Sequence, residues 1–170
     1  MVEKFLIDAN SFITPYQQYY AFDMIPSYWK ELSTKAKTGR MVLLDIVKDE
    51  IDKGQDDLAD WVDKEKGFVI CNHVSPDIIG KYQEVLQYVQ NCGLYKEQAL
   101  EAWVPAHIAD PWLIAAASVF GYTIITSEVS SSGLNPKTPN KNAKIPDVAK
   151  AFGVKTNNLF YMMRELGIKI

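Results

Sequence analysis

The run FLIDANS at residues 5–11 carries three apolar residues directly into an aspartate, Asp8. A buried strand ending on a carboxylate is costly unless a partner or a metal ion is supplied. Three further acids stand at comparable points. Glu50 lies about one helical turn beyond the apolar run MVLLDI (41–46), Asp110 opens ADPWLIAAASVFG (109–121), and Glu128 follows YTIIT (122–126). Clustered carboxylates repel and do not all stay ionised without a cation. With no His or Cys beside them, an all-oxygen site suits Mg²⁺ or Mn²⁺. Such an ion polarises a phosphoryl oxygen and lowers the pKa of a bound water, and the chemistry that follows is hydrolysis of a phosphodiester. Asp8, Glu50, Asp110 and Glu128 are therefore the candidate catalytic residues and metal ligands.

Each acid also has an ordinary reading. Asp110 before Pro111 is what a simple helix start needs. Glu50 lies among Asp49, Asp52, Asp56 and Asp57, most of them a solvated face, and Glu128 reads as a loop residue. Asn10 and Ser11 either cap the next segment or hydrogen-bond Asp8 and a metal-bound water. Thr126 and Ser127 admit the same two readings. The joint pattern outweighs its members.

The elements must bring these acids to one place. Residues 2–8, 41–46, 67–71 and 122–126 read as short strands. Helices are expected over 27–39 (opened by Pro26), near 46–53, over 56–67, 75–93, 95–103 and 109–121, with Asp110 as N-cap. Residues 12–25 read as irregular and aromatic-rich, and 128–144 as loop. IPDVAKAFG and NNLFYMMRELG read as two closing helices around a short edge strand near Val154. Strands alternating with helices predict an α/β fold with a parallel sheet of four to five strands and helices on both faces, as one domain over 1–170. In such a sheet the residues just after each strand gather at one edge. An eleven-residue helix from 110 is roughly 16 Å long, and five strand residues return about 17 Å. Asp110 and Glu128 therefore finish at the edge of Asp8.

Composition sets the remaining bounds. No apolar run approaches a bilayer's thickness, and the N-terminus lacks a basic region followed by a long apolar stretch. Cys71 and Cys92 stand apart without a CxxC, so disulfide and zinc frameworks are not expected and a reducing cytoplasm is the default. The net charge is −3, but it is uneven: residues 1–128 hold 19 acids and 11 bases, and 129–170 hold 2 acids and 7 bases. An acidic body beside a basic quarter suits a cation next to a polyanion, or is plain scatter.

FLIDANS, VKDEI with Glu50, ADPWLIAAA and IITSE, in this order and spacing, resemble the PIN-domain (PilT N-terminus) nucleases, most closely the VapC-type toxins. DDLADWVDKEKG and KIPDVAKAFGV look like a less-studied PIN-like subfamily. The resemblance implies a three-layer α/β/α domain and Mg²⁺- or Mn²⁺-dependent endoribonuclease activity as the toxin of a toxin–antitoxin module. It implies RNA as substrate, a protein antitoxin encoded by a neighbouring gene, and a homodimer. By position, Asp8, Glu50, Asp110 and Glu128 match the family's four acids, and Asn10 with Thr126 or Ser127 its polar supporting positions. Glu128 departs from the family's usual aspartate. The tyrosine-rich stretch 16–28 and the loop 129–144 exceed a minimal domain.

Lys137, Lys141 and Lys144 in that loop either track a phosphate backbone or serve solubility. Tyr16, Tyr19, Tyr20 and Trp29 either stack unpaired bases or pack a core or dimer interface. The alternatives are a PIN-type nuclease in RNA or DNA processing without an antitoxin, and a non-catalytic nucleic-acid or partner-binding module. A haloacid-dehalogenase-type phosphatase would use Asp8 as nucleophile, but it wants a second aspartate where Asn10 stands. The closing segment has helix–turn–helix rhythm, yet NNLFYMMREL offers apolar rather than basic residues to a groove.

Overall fold

The computed structural model describes residues 1–170. Five strands form one all-parallel sheet: β1 (Phe5–Ile7), β2 (Met41–Leu44), β3 (Val69–Cys71), β4 (Thr123–Ile125) and β5 (Thr156–Asn157), in the order β3-β2-β1-β4-β5. Phe5, Leu6 and Ile7 pair with Thr123, Ile124 and Ile125 on one side, while Phe5 and Leu6 pair with Met41 and Val42 on the other. Every residue of β1 and β2 is buried. These uninterrupted apolar runs are what a strand covered on both faces needs.

Nine helices connect and flank the sheet: α1 (Asn10–Gln18), α2 (Pro26–Ala36), α3 (Asp45–Asp52), α4 (Asp57–Lys64), α5 (Pro76–Asn91), α6 (Glu97–Trp103), α7 (Ala109–Phe120), α8 (Ile145–Ala151) and α9 (Leu159–Glu165). Pro26 starts α2, where its fixed φ suits a first turn, and Tyr28, Trp29, Leu32 and Ala36 form its buried stripe. Asp56 caps α4 by accepting from the Ala59 N–H at 3.0 Å. Helix α7 is buried almost all round, from Ala109 and from Pro111 to Ala117, and packs along α5. Gly121 ends it at φ +72°, the left-handed conformation that glycine adopts without a Cβ penalty.

The strands are shorter than the sequence reading, the edge strand β5 lies at Thr156–Asn157 rather than at Val154, and three further differences stand out. Residues 10–18 are helix α1 despite Pro15. Packing of Phe12 on Phe68 and of Tyr16 on Phe22 and Trp29 overrides the local signal. Ile108, not Asp110, is the N-cap of α7, and Asp110 lies in its first turn. The run MVLLDI does not continue as strand past Leu44, because α3 begins at Asp45.

Tyr16, Tyr20 and Trp29 are committed internally. Phe22 stacks on Trp29 with ring centroids 4.3 Å apart, Tyr20 stacks on Tyr28 at the same distance, and the Trp29 Nε1–H donates to the Tyr20 carbonyl. Tyr19 alone of the four stands exposed. Helices α8 and α9 are separated by β5, which pairs with β4, so the closing segment completes the sheet and core rather than forming a helix–turn–helix. No helix is long and apolar enough to cross a membrane.

Candidate metal centre

The strand order reverses between β1 and β4, because the chain runs β1-β2-β3 in one direction and then crosses back to β4. At such a switch point the connections leave in opposite directions and open a crevice beyond the carboxyl ends of the strands. Asp8 follows β1, and Thr126 and Glu128 follow β4, so all three stand at that crevice. The Asp8 N–H donates to the Ile125 carbonyl at 2.9 Å, continuing the ladder one residue past the strand. Thr126 joins the two sides. Its hydroxyl donates to Asp8 Oδ2 at 2.9 Å and accepts from the Glu128 N–H at 3.2 Å.

Asp8 is only 6% exposed. Burial pushes its carboxyl up to about 6, the Thr126 hydroxyl opposes this, and the charges of Glu50 and Glu128 add to the rise. Burial likewise pushes Asp110 up to about 7, with Asp8, Glu128 and Glu50 all contributing like charge. None of the four acids forms an ion pair with a Lys, Arg or His. A buried and a half-buried carboxyl that feel two further acids, with no ion pair among the four, are a donor set that suits a hard divalent ion.

The four acids share one rim but do not close into a cage. No three His, Cys, Asp or Glu side chains stand together ready to hold an ion. Glu128 turns its carboxylate to accept from the Ile145 N–H at 2.7 Å, at the start of α8. Glu50 is exposed on α3.

The supporting positions divide. Thr126 is buried and bonded to Asp8, whereas Asn10 and Ser127 are exposed and make no side-chain hydrogen bond. The Ser11 hydroxyl donates to the Ile125 carbonyl at 3.2 Å and so ties α1 to β4 rather than reaching the Asp8 carboxylate, while the Ser11 N–H donates to the Asp8 carbonyl at 3.0 Å. Lys144 lines a pocket of about 400 Å³ together with Asp110, Glu128 and Asn142. Lys137 and Lys141, earlier in the loop, are exposed. That loop is anchored: Asn140 exchanges backbone bonds with Leu94 and Lys96, and the Ser131 N–H donates to Asp147.

One pair at the same edge escaped the sequence reading. Asp45 and His73, 28 residues apart, are joined by His73 Nδ1 at 2.8 and 2.9 Å from the two carboxylate oxygens. The available signal was positional: one residue follows β2 directly and the other stands two places after β3.

Thr126→Val removes the hydroxyl from both ends of the Asp8–Thr126–Glu128 chain while keeping its shape. The expected result is a loss of about 1–3 kcal/mol in chemical denaturation, the cost of stranding buried polar groups. An unchanged midpoint counts against that link.

The architecture, a parallel five-stranded sheet flanked by helices with acids at the switch point, is PIN-like. The chain belongs to the family described as Domain of unknown function (DUF4411), which matches residues 5–170. Among solved structures, it is similar to a chain in the crystal structure of VapBC2 from Rickettsia felis bound to a DNA fragment from their promoter. The TM-score is 0.50 and the identity 15%, over 82% of this chain and 98% of that one. No curated protein matches the sequence.

Proposed function

We propose that this protein is a Mg²⁺- or Mn²⁺-dependent endoribonuclease of the PIN type, with Asp8, Glu50, Asp110 and Glu128 holding the ion. The observation that carries this reading is the pair of carboxyls, Asp8 buried and Asp110 half-buried, both raised by desolvation and by their acidic neighbours and neither in an ion pair. A divalent ion bound there would neutralise the rim and polarise a phosphoryl oxygen. Thr126 fixes the orientation of Asp8, and Lys144, beside Asp110 and Glu128, is placed to meet substrate phosphate.

We further propose that it acts in the cytoplasm as the toxin of a toxin–antitoxin pair, silenced by a protein antitoxin encoded by a neighbouring gene, and that it forms a homodimer. The fold likeness to a chain of a VapBC2 complex supports a protein partner. The test is cleavage of RNA by the purified protein with Mg²⁺ or Mn²⁺. Cleavage is expected to stop with a chelator and return when the ion is restored. Cleavage indifferent to chelator overturns the metal reading, and a folded protein that leaves RNA intact with either ion overturns the nuclease reading.

A further inference from the structure

We propose that His73, held by Asp45, contacts the nucleotide next to the cleaved bond. Its Nε2 accepts a hydrogen bond from that nucleotide, either from the ribose 2′-hydroxyl or from a base N–H. The inference rests on the nuclease reading and adds to it a residue that sets how substrate is seated.

Asp45 is fixed before it meets the imidazole. Its Oδ1 accepts from the Ile46 N–H at 2.9 Å and from the His73 N–H at 3.1 Å, and both oxygens lie within 2.9 Å of His73 Nδ1. A carboxylate only accepts, so the neutral ring carries its proton on Nδ1 and leaves a lone pair on Nε2. That second nitrogen has no protein partner, and the His73 side chain is 24% exposed. An Nε2 at this exposure meets water in the free protein and can exchange that water for a donor on the substrate. Here it is oriented and left open.

The ring's position follows from its neighbours. It meets the Trp112 ring edge to face, with centroids 4.8 Å apart, and Trp112 is itself stacked on Tyr82 at 3.6 Å and donates from Nε1 to the Ala106 carbonyl. Trp112 stands two residues beyond Asp110, and Asp45 begins the helix that carries Glu50. His73 is thus clamped between the two helices that bring those acids to the rim. The strand it follows, β3, lies two places from β1, which at about 4.8 Å per strand puts it on the order of 10 Å from the strand that Asp8 follows. That distance is too long for the reacting phosphorus and suits an adjoining nucleotide. A lone pair beside an acidic rim favours a donor over a phosphate oxygen, and RNA offers a donor in the 2′-hydroxyl of every nucleotide.

The test uses an oligoribonucleotide that the protein cuts at one bond. Single 2′-deoxy replacements are placed at each nucleotide flanking the cut, and in a second series base analogues that lack one N–H donor. At one position the wild type is expected to slow about three- to tenfold, the effect of one neutral hydrogen bond. His73→Ala is expected to slow by a similar factor on the all-ribose strand and to show no further loss from that replacement. A sugar effect names the 2′-hydroxyl as donor, and a base effect names the N–H. Asp45→Asn, whose amide can donate to Nδ1 and reverse the tautomer, is expected to lose part of the same discrimination. His73→Gln serves if the alanine variant does not fold. A His73 variant that cuts at the wild-type rate and keeps every replacement penalty overturns the inference while leaving the nuclease reading intact. Wild-type protein that binds Mn²⁺ and cuts no RNA removes both.

Discussion

Asp8→Asn is expected to abolish RNA cleavage and, in the same variant, to raise the melting temperature of the metal-free protein. The two effects share one cause. Asp8 is buried at the carboxyl end of β1 with acidic neighbours and no cation. Moving its carboxyl from 3.8 to about 6 corresponds to about 3 kcal/mol of unfavourable ionisation above neutral pH, at 1.36 kcal/mol per pH unit. The substitution removes that charge and keeps an oxygen for the Thr126 hydroxyl. At about 2–4 °C per kcal/mol for a chain of this size, the gain is several degrees in thermal unfolding. Cleavage should fall by more than about 100-fold, since loss of even a metal's outer partner costs 10–100-fold. A variant that cuts RNA normally refutes the site. A variant that melts lower refutes the electrostatic account.

Without divalent cation, stability is expected to decline as pH rises from about 4 to 8, and Mn²⁺ or Mg²⁺ is expected to reverse the decline. In the folded chain Asp8 titrates near 6 and Asp110 near 7, both above the ordinary 3.8 of an unfolded aspartate. Between those values the native state binds more protons than the unfolded state, so unfolding becomes easier with each increment of pH. The favourable contribution is complete below about pH 4 and is lost as pH passes through 6 and 7. An ion bound to the ionised rim acts in the opposite direction and adds about 2.7 kcal/mol at a hundredfold excess over its dissociation constant. Thermal melts at pH 5 and pH 8, each with chelator and with millimolar Mn²⁺, separate the two effects. Melting temperatures that ignore both pH and cation count against the acidic centre. In Asp8→Asn the slope should shrink but not vanish, because Asp110 remains.

Much of the framework was legible in the residues because each strand is a short apolar run bounded by a turn or a helix start. FLI before Asp8 and TII before Thr126 marked both sides of the crevice. The count of residues from Asp110 to Glu128 placed those acids at one end of the sheet. What stayed hidden depended on contacts across the chain. Pro15 and a crowd of tyrosines argued against helix α1, whose stability comes from Phe68, Phe22 and Trp29 at a distance in sequence. Asp110 before proline looked like a cap, but the cap is Ile108, two residues earlier, and the helix carries the Asp110 carboxyl within its first turn. The Asp45–His73 pair joins two strand ends whose adjacency only the β2–β3 register reveals. The hold of the Ile145 amide on the Glu128 carboxylate had no local signal at all, because that backbone N–H lies seventeen residues on.

That last contact makes the first turn of α8 a gauge of what happens at the crevice. Glu128 is tethered at both ends, through its own amide to Thr126 and through its carboxylate to Ile145. Any rotation that brings the carboxylate toward its acidic neighbours takes the acceptor away from the Ile145 amide, whose residue is fully buried. Exchange of that single amide hydrogen therefore reads out whether Glu128 has swung inward.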